Sequence, residues 1–313
     1  MKILIKDKVM CNKFVKVSLF LSLLFNVSFA NEFNKGAEND RLEMIKFFEE
    51  KFKDPAKNKD KFFPYFTEEE LESKYDKDLK HLDFNIGSYA YSKDARAQYE
   101  ALKEMPPYED AIEKGEELYT KKFANGNSLQ TCFPDLTIAG TFPYFDEKKK
   151  EVITLTRAVN DCLRANGEKE WHTKKGAMAE FQAYFMNESK EAEKNFDIQI
   201  NSKAAKEAYE RGKEYYYTQR GYLKLSCATC HVQGAGQRVR NEILSPLVGQ
   251  VTHFPVFRLR WQEIGTVERR LSGCIVDQGQ VPPKDESKEM AELLYFLAYM
   301  SNGMPVDGPD VRK

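Results

Sequence analysis

The stretch Ser226-Cys227-Ala228-Thr229-Cys230-His231 constrains this chain more than any other. C-x-x-C-H is the attachment sequence of a c-type haem: two cysteines three apart can each form a thioether with one vinyl group, and the adjoining histidine reaches the iron from the proximal side. A fold that carries it has to wrap a flat, covalently tethered macrocycle. A bare C-x-x-C can also be a thioredoxin-type redox pair or half of a zinc site, but the first wants a βαβ context and the second another ligand pair. Neither pattern accompanies the motif.

The front of the chain sets the compartment. Residues 1–30 hold five lysines, one aspartate, an apolar run from Val17 to Phe29, and Ser28-Phe29-Ala30 with small residues where a signal peptidase reads. This pattern predicts a secretory signal cleaved after Ala30, since the apolar run is shorter than the roughly 20 residues of a spanning helix. A periplasmic protein with no membrane segment after cleavage is expected. Removing the signal takes +4 from a net charge of −1, which leaves −5 over 283 residues and does not suggest nucleic acid as a partner. Cys11 leaves with the signal, and the five remaining cysteines are an odd number to account for in an oxidising compartment.

The fold class expected is all-α: an N-terminal helical arm over 31–92, a haem-less cytochrome c-like domain over 93–195, and a cytochrome c domain with haem over 196–313. The arm is lysine-rich, with helical spacing at Leu42, Ile45, Phe47, Phe48 and Phe52, and its lysines read as a solvated face. The two domains follow from an internal repeat of about 100 residues. Ala111–Cys132 and Tyr209–Cys227 each run from a glycine-bearing amphipathic helix through a loop into a cysteine, and Met178-Ala179-Glu180 and Met290-Ala291-Glu292 each open an apolar helix. Where the second copy has Cys227, Cys230 and His231, the first has Cys132, Asp135 and Leu136. The first copy therefore lacks one thioether and the proximal ligand, and a single haem c is expected. Cys162 matches Cys274 of the second copy, so with no haem between them Cys132 and Cys162 can approach and bridge; two buried free thiols are the alternative.

The distal iron ligand is the open position. Met290, Met300 and Met304 lie inside or after the last helix, expected over Asp285–Met300, and not in the loop ahead of it where a distal methionine belongs. Cys274 lies there, in Glu268-Arg269-Arg270-Leu271-Ser272-Gly273-Cys274, and it is the cysteine left over. His253 is the rival; His81 and His172 lie outside this copy and read as surface residues. Between His231 and Cys274 stand six arginines (238, 240, 258, 260, 269 and 270) against three glutamates. Arginines beside a cysteine favour its thiolate, and their forks suit a sulfur oxyanion.

On these residues the chain resembles the SoxA family of cytochromes of bacterial sulfur oxidation, over essentially the whole mature chain, with E-R-R-L-x-x-C as the most specific part. The resemblance implies the single-haem kind. It assigns the haem to Cys227 and Cys230, the axial positions to His231 and Cys274, and substrate binding to Arg270, and it implies a persulfide on Cys274. It also implies oxidative joining of thiosulfate to a cysteine of the carrier SoxYZ, with two electrons leaving through cytochrome SoxX. A plain electron-transfer cytochrome, whose arginines only dock a partner, and a haem-based sensor with a redox-switched thiolate are the alternatives. Arginines beside an odd cysteine favour the enzyme, because a carrier needs a methionine or histidine there and no anion clamp.

Overall fold

Two helix pairs carry the architecture, and each crosses at a glycine. A computed structural model describes residues 32–239 and 242–312; the expected signal and Arg240 lie outside the described residues. In chain order, α1 spans 32–51, α2 Lys59–Phe62, α3 Glu68–Lys74, α4 Lys93–Lys103, α5 Glu109–Thr120, α6 Leu129–Cys132, β1 Tyr144–Asp146, β2 Glu151–Ile153, α7 Leu155–Ala165 and α8 Ala177–Glu191. Then come α9 Lys203–Tyr217, β3 Arg238–Val239, β4 Glu242–Ile243, β5 Val256–Arg258, β6 Glu263–Gly265, α10 Val267–Asp277, α11 Lys288–Tyr299 and β7 Asp310–Arg312. The protein is helical, and its strands, two or three residues each, serve as staples between helices.

α5 packs on α8 and α9 on α11. A Cβ on Gly115 would stand 2.2 Å from the Glu180 carbonyl oxygen, and one on Gly212 would stand 2.0 Å from that of Glu292. Only glycine lets the two backbones approach this closely. The Met-Ala-Glu sequence that opens α8 and α11 thus places the same carbonyl against the same glycine in both copies. α11 is buried on all sides from Met290 to Tyr299, which differs from the single stripe expected from its spacing. It runs through the middle of the molecule, and its Glu292 is paired with Arg211 at 2.6 Å.

The repeat is more regular than sequence inspection suggested. Phe142-Pro143 and Phe254-Pro255, both cis, lead into the hairpins β1–β2 and β5–β6 with identical registers. Each hairpin ends at a threonine, Thr154 or Thr266, that starts a helix carrying Cys162 or Cys274 at the same distance from it. Cys274 therefore lies on α10, not in the loop expected from cytochrome patterns. Val267, Leu271 and Ile275 give α10 its inward stripe.

In the first copy, Cys132 and Cys162 are bonded, with Cα atoms 6.2 Å apart. Beside them Phe133, Phe181 and Phe185 form a three-ring cluster with centroids 5.7 to 5.8 Å apart. At the equivalent positions the second copy has Ala228, Leu293 and Leu297. The three rings are bulkier than the residues at those positions of the second copy.

The arm packs on the second copy. Arg41 donates to the Asn302 carbonyl at 3.0 Å, Tyr91 to that of Leu244 at 2.9 Å, and Asp40 accepts from Tyr209 at 3.0 Å. Lys51 departs from the expected solvated face: it is 1% exposed, and its Nζ donates to the Gln233 carbonyl at 3.0 Å.

Candidate functional site

The C-x-x-C-H stretch folds into a tight turn held by reciprocal bonds. The Ser226 amide donates to Thr229 Oγ1, and the Thr229 amide donates to Ser226 Oγ, both at 3.1 Å. The Thr229–Gln233 helical turn that follows presents His231. His231 Nδ1 lies 2.8 Å from the Ser245 carbonyl oxygen, which can only accept, so Nδ1 carries the proton and Nε2 keeps its lone pair. Burial pulls the imidazole down to about 4, which keeps it neutral at pH 7. A neutral histidine with a fixed tautomer is what iron requires.

Cys227, Cys230 and Cys274 are free, half-buried thiols. Cys274 acts electrostatically on both of the others, and the buried Tyr216 feels all three. Burial, more than that mutual influence, pushes Cys227 up to about 12 and raises Cys230 as well. The donor set fits a c-type haem: two thiols for thioethers, one imidazole with a free Nε2, and one further thiol within their electrostatic reach. Cys227 and Cys230 would hold the group, and His231 and Cys274 are the candidate axial ligands. His253 is buried, stacked on Phe254 with centroids 4.9 Å apart, with Nδ1 lacking a partner, and it lies within electrostatic reach of Arg270. His172 is exposed and His81 sits half-buried against Glu49.

The helix that carries Cys274 decides which arginine serves it. Residues four apart share a helix face, so Arg270 lies beside Cys274 while Arg269 is turned away, 4.3 Å over the Trp261 ring and 2.9 Å from Glu263. Glu268 is turned inward toward Thr156 and Thr266. A second arginine, Arg258 at the end of β5, reaches the same spot. It is only 4% exposed, lies 5.3 Å over Trp261, and belongs to a strand flanked by β6 and, in parallel, by β7. Arg238 and Arg260 are exposed.

Glu242 joins the two arginines. Its Oε2 accepts from Arg270 Nη2 at 3.0 Å and its Oε1 from Arg258 Nη2. Burial pushes the Cys274 thiol up; Arg270 and Arg258 pull it down and Glu242 pushes it up again, with a net rise. The arginines act in the direction expected from sequence, toward the thiolate, but burial outweighs them, and a metal bond would supply the difference.

Sequence reasoning singled out Arg270 and passed over Arg258 and Glu242 as site residues. The repeat held the missing signal: the first copy has Asp146 where the second has Arg258, and Ala158 where it has Arg270. The half without C-x-x-C-H also lacks the arginine pair.

The family model described as SoxA/TsdA, cytochrome c domain, matches residues 114–193 and 211–306. The L-cysteine S-thiosulfotransferase subunit SoxA of Chlorobaculum tepidum is 46% identical over 237 residues, 75% of this chain and 82% of that protein. The protein of the same name from Allochromatium vinosum is 40% identical over 232 residues, 74% of this chain and 83% of its own length. Among solved structures, SoxXA from P. pantotrophus superposes with a TM-score of 0.64 at 26% identity, covering 71% of this chain and 87% of that one. Among the described residues no helix is long and apolar enough to cross a membrane.

Proposed function

The chain belongs to the SoxA/TsdA cytochrome c family, and from that premise we propose that it is the catalytic subunit of a periplasmic L-cysteine S-thiosulfotransferase. Its substrates are thiosulfate and a cysteine of the SoxYZ carrier, and its partner is cytochrome SoxX. The observation that carries this reading is the convergence of Arg258 and Arg270 on a cysteine within electrostatic reach of the C-x-x-C-H thiols. An electron carrier has no use for an anion clamp at its distal ligand.

The reaction balances as thiosulfate plus carrier thiol giving the carrier S-thiosulfonate, one proton and two electrons. One haem c, held by Cys227 and Cys230, supplies when bound a site for Cys274 and a route by which electrons leave toward SoxX. The aromatic cluster of Phe133, Phe181 and Phe185 supports a single haem, since it fills the first copy. Arg270 and Arg258 bind and orient the sulfonate, and their fixed positive charge stabilises charge that develops as sulfur–sulfur bonds change. Cys274 is the reacting sulfur; the extra sulfur of its persulfide form is resident and conserved over the cycle, so it does not enter this balance. The His231 tautomer, locked by Ser245, keeps Nε2 in place throughout.

Turnover with thiosulfate and carrier tests the reading. Cys274→Met keeps a covalently bound haem, because Cys227, Cys230 and His231 remain, while its spectrum changes and conjugation stops. Arg270→Ala leaves the spectrum largely intact and lowers turnover on the order of a hundredfold, the usual cost of one preorganised electrostatic contact. A Cys274 variant with the native spectrum and full activity would sink the proposal in favour of His253 ligation and electron carriage.

A further inference from the structure

The two arginines that face Cys274 are already engaged by the protein's own carboxylate. Glu242 presents one oxygen to Arg258 and the other, at 3.0 Å, to Arg270, so a two-oxygen anion fills a two-guanidinium cradle. A sulfonate bound there needs the same N–H groups, and the Glu242 carboxylate beside it would repel it. The arginines do not depend on Glu242 for their placement. Arg258 is buried against Trp261 on a strand paired on both sides, and Arg270 is fixed by its place on α10. Glu242 is the loosest of the three: its side chain is 42% exposed, against 29% for Arg270 and 5% for Arg258, and it starts a two-residue strand. It can leave the cradle without moving either partner.

We propose that Glu242 is an internal competitor for the oxyanion site, seated between Arg258 and Arg270 in the resting protein and displaced into solvent when a sulfur oxyanion binds. This inference rests on the reading that Arg270 and Arg258 bind the substrate. Charge decides the exchange. Two guanidiniums with one carboxylate leave a net positive cradle, whereas a dianion such as thiosulfate neutralises it; singly charged anions gain less over the resident carboxylate. Glu242 therefore sets a threshold that every oxyanion must exceed, lowering the affinity of mono- and dianions by one common factor, while the two arginines supply the preference for the dianion.

The test is equilibrium binding of inorganic sulfate and of nitrate to the full-length holoprotein by titration calorimetry, without carrier, so that no turnover is required. Glu242→Gln should tighten sulfate binding roughly two- to fivefold, the scale of one partly exposed ion pair, and should tighten nitrate by the same factor, leaving the preference for the dianion unchanged. Arg270→Ala should weaken both. If Glu242→Gln leaves affinity unchanged or weakens it while Arg270→Ala abolishes binding, Glu242 only positions the arginines and the competitor role is overturned. If Arg270→Ala binds sulfate as the native protein does, the cradle itself is wrong and the competitor falls with it. Haem content and circular dichroism of each variant confirm that the folded holoprotein is being compared.

Discussion

Lys51 lets a buried charge be weighed by titration. It sits at the end of α1 at 1% exposure, with Nζ 3.0 Å from the Gln233 carbonyl and 5.1 Å from the Phe63 ring centre. Burial lowers its pKa from 10.5 to about 8. Below pH 8 both folded and unfolded chains hold the proton, and the full cost of burying the charge is present. Between about 8 and 10.5 the unfolded chain binds more protons than the folded one, so stability rises with pH. At 1.36 kcal/mol per unit, the rise from pH 7 to pH 10 amounts to about 2.5 kcal/mol, most of the available shift. Lys51→Met removes the titrating group. Urea unfolding of the native protein and of the variant at pH 7 and pH 10 should therefore show the native protein gaining about 2.5 kcal/mol relative to the variant on going to high pH. Other titrating groups, including the buried tyrosines, cancel in that difference. A difference independent of pH would mean that Lys51 is not held in a low-dielectric site, and the linkage argument would be refuted.

Gly115→Ala and Gly212→Ala each add about 1 kcal/mol of helix propensity but place a Cβ 2.2 and 2.0 Å from a carbonyl oxygen. Since overpacking of this kind typically costs 1 to 3 kcal/mol or more, thermal melts should show both variants less stable, and a stabilised one would contradict the close crossing. Replacing Cys132 and Cys162 together by alanine opens a loop of sequence separation 30, for which the chain-entropy model gives roughly 3 to 4 kcal/mol. The denaturation midpoint should fall while the haem spectrum stays unchanged, and an unmoved midpoint would contradict the bridge.

How much of this was legible in the sequence depended on how far apart the interacting residues lie. Cys227, Cys230 and His231 declare themselves because their chemistry needs fixed local spacing, and α11 does so because its apolar residues are dense. Arg270 was singled out by the resemblance of the Glu268–Cys274 segment to the SoxA family. Arg258 and Glu242 were not, because they meet Arg270 only after the β3–β4 and β5–β6 hairpins fold back, with β7 added from the C-terminal end. Cys274 was expected in a loop because a cytochrome c usually supplies its distal ligand from one, and that pattern drew attention away from the Val267, Leu271, Ile275 stripe of a helix. Lys51 was expected in solvent because composition alone cannot show that a lysine flanked by Phe48 and Phe52 lies on the buried side. The Phe-Pro sequences, repeated in both halves, would have aligned Asp146 with Arg258 and Ala158 with Arg270 without any structure.

Cys274 and Arg270 sit one turn apart on the same rigid helix, so neither can shift without the other. Were Cys274 to bind the iron of a haem held by Cys227 and Cys230, the sulfur's environment and the anion's seat would become two readings of one mechanical element. Thermodynamic reciprocity then follows: by whatever factor oxyanion binding favours the oxidised or the reduced iron, a change in redox state alters oxyanion affinity by the same factor. The midpoint potential measured at graded sulfate concentrations is accordingly a binding isotherm in another guise, and the two should yield one coupling constant.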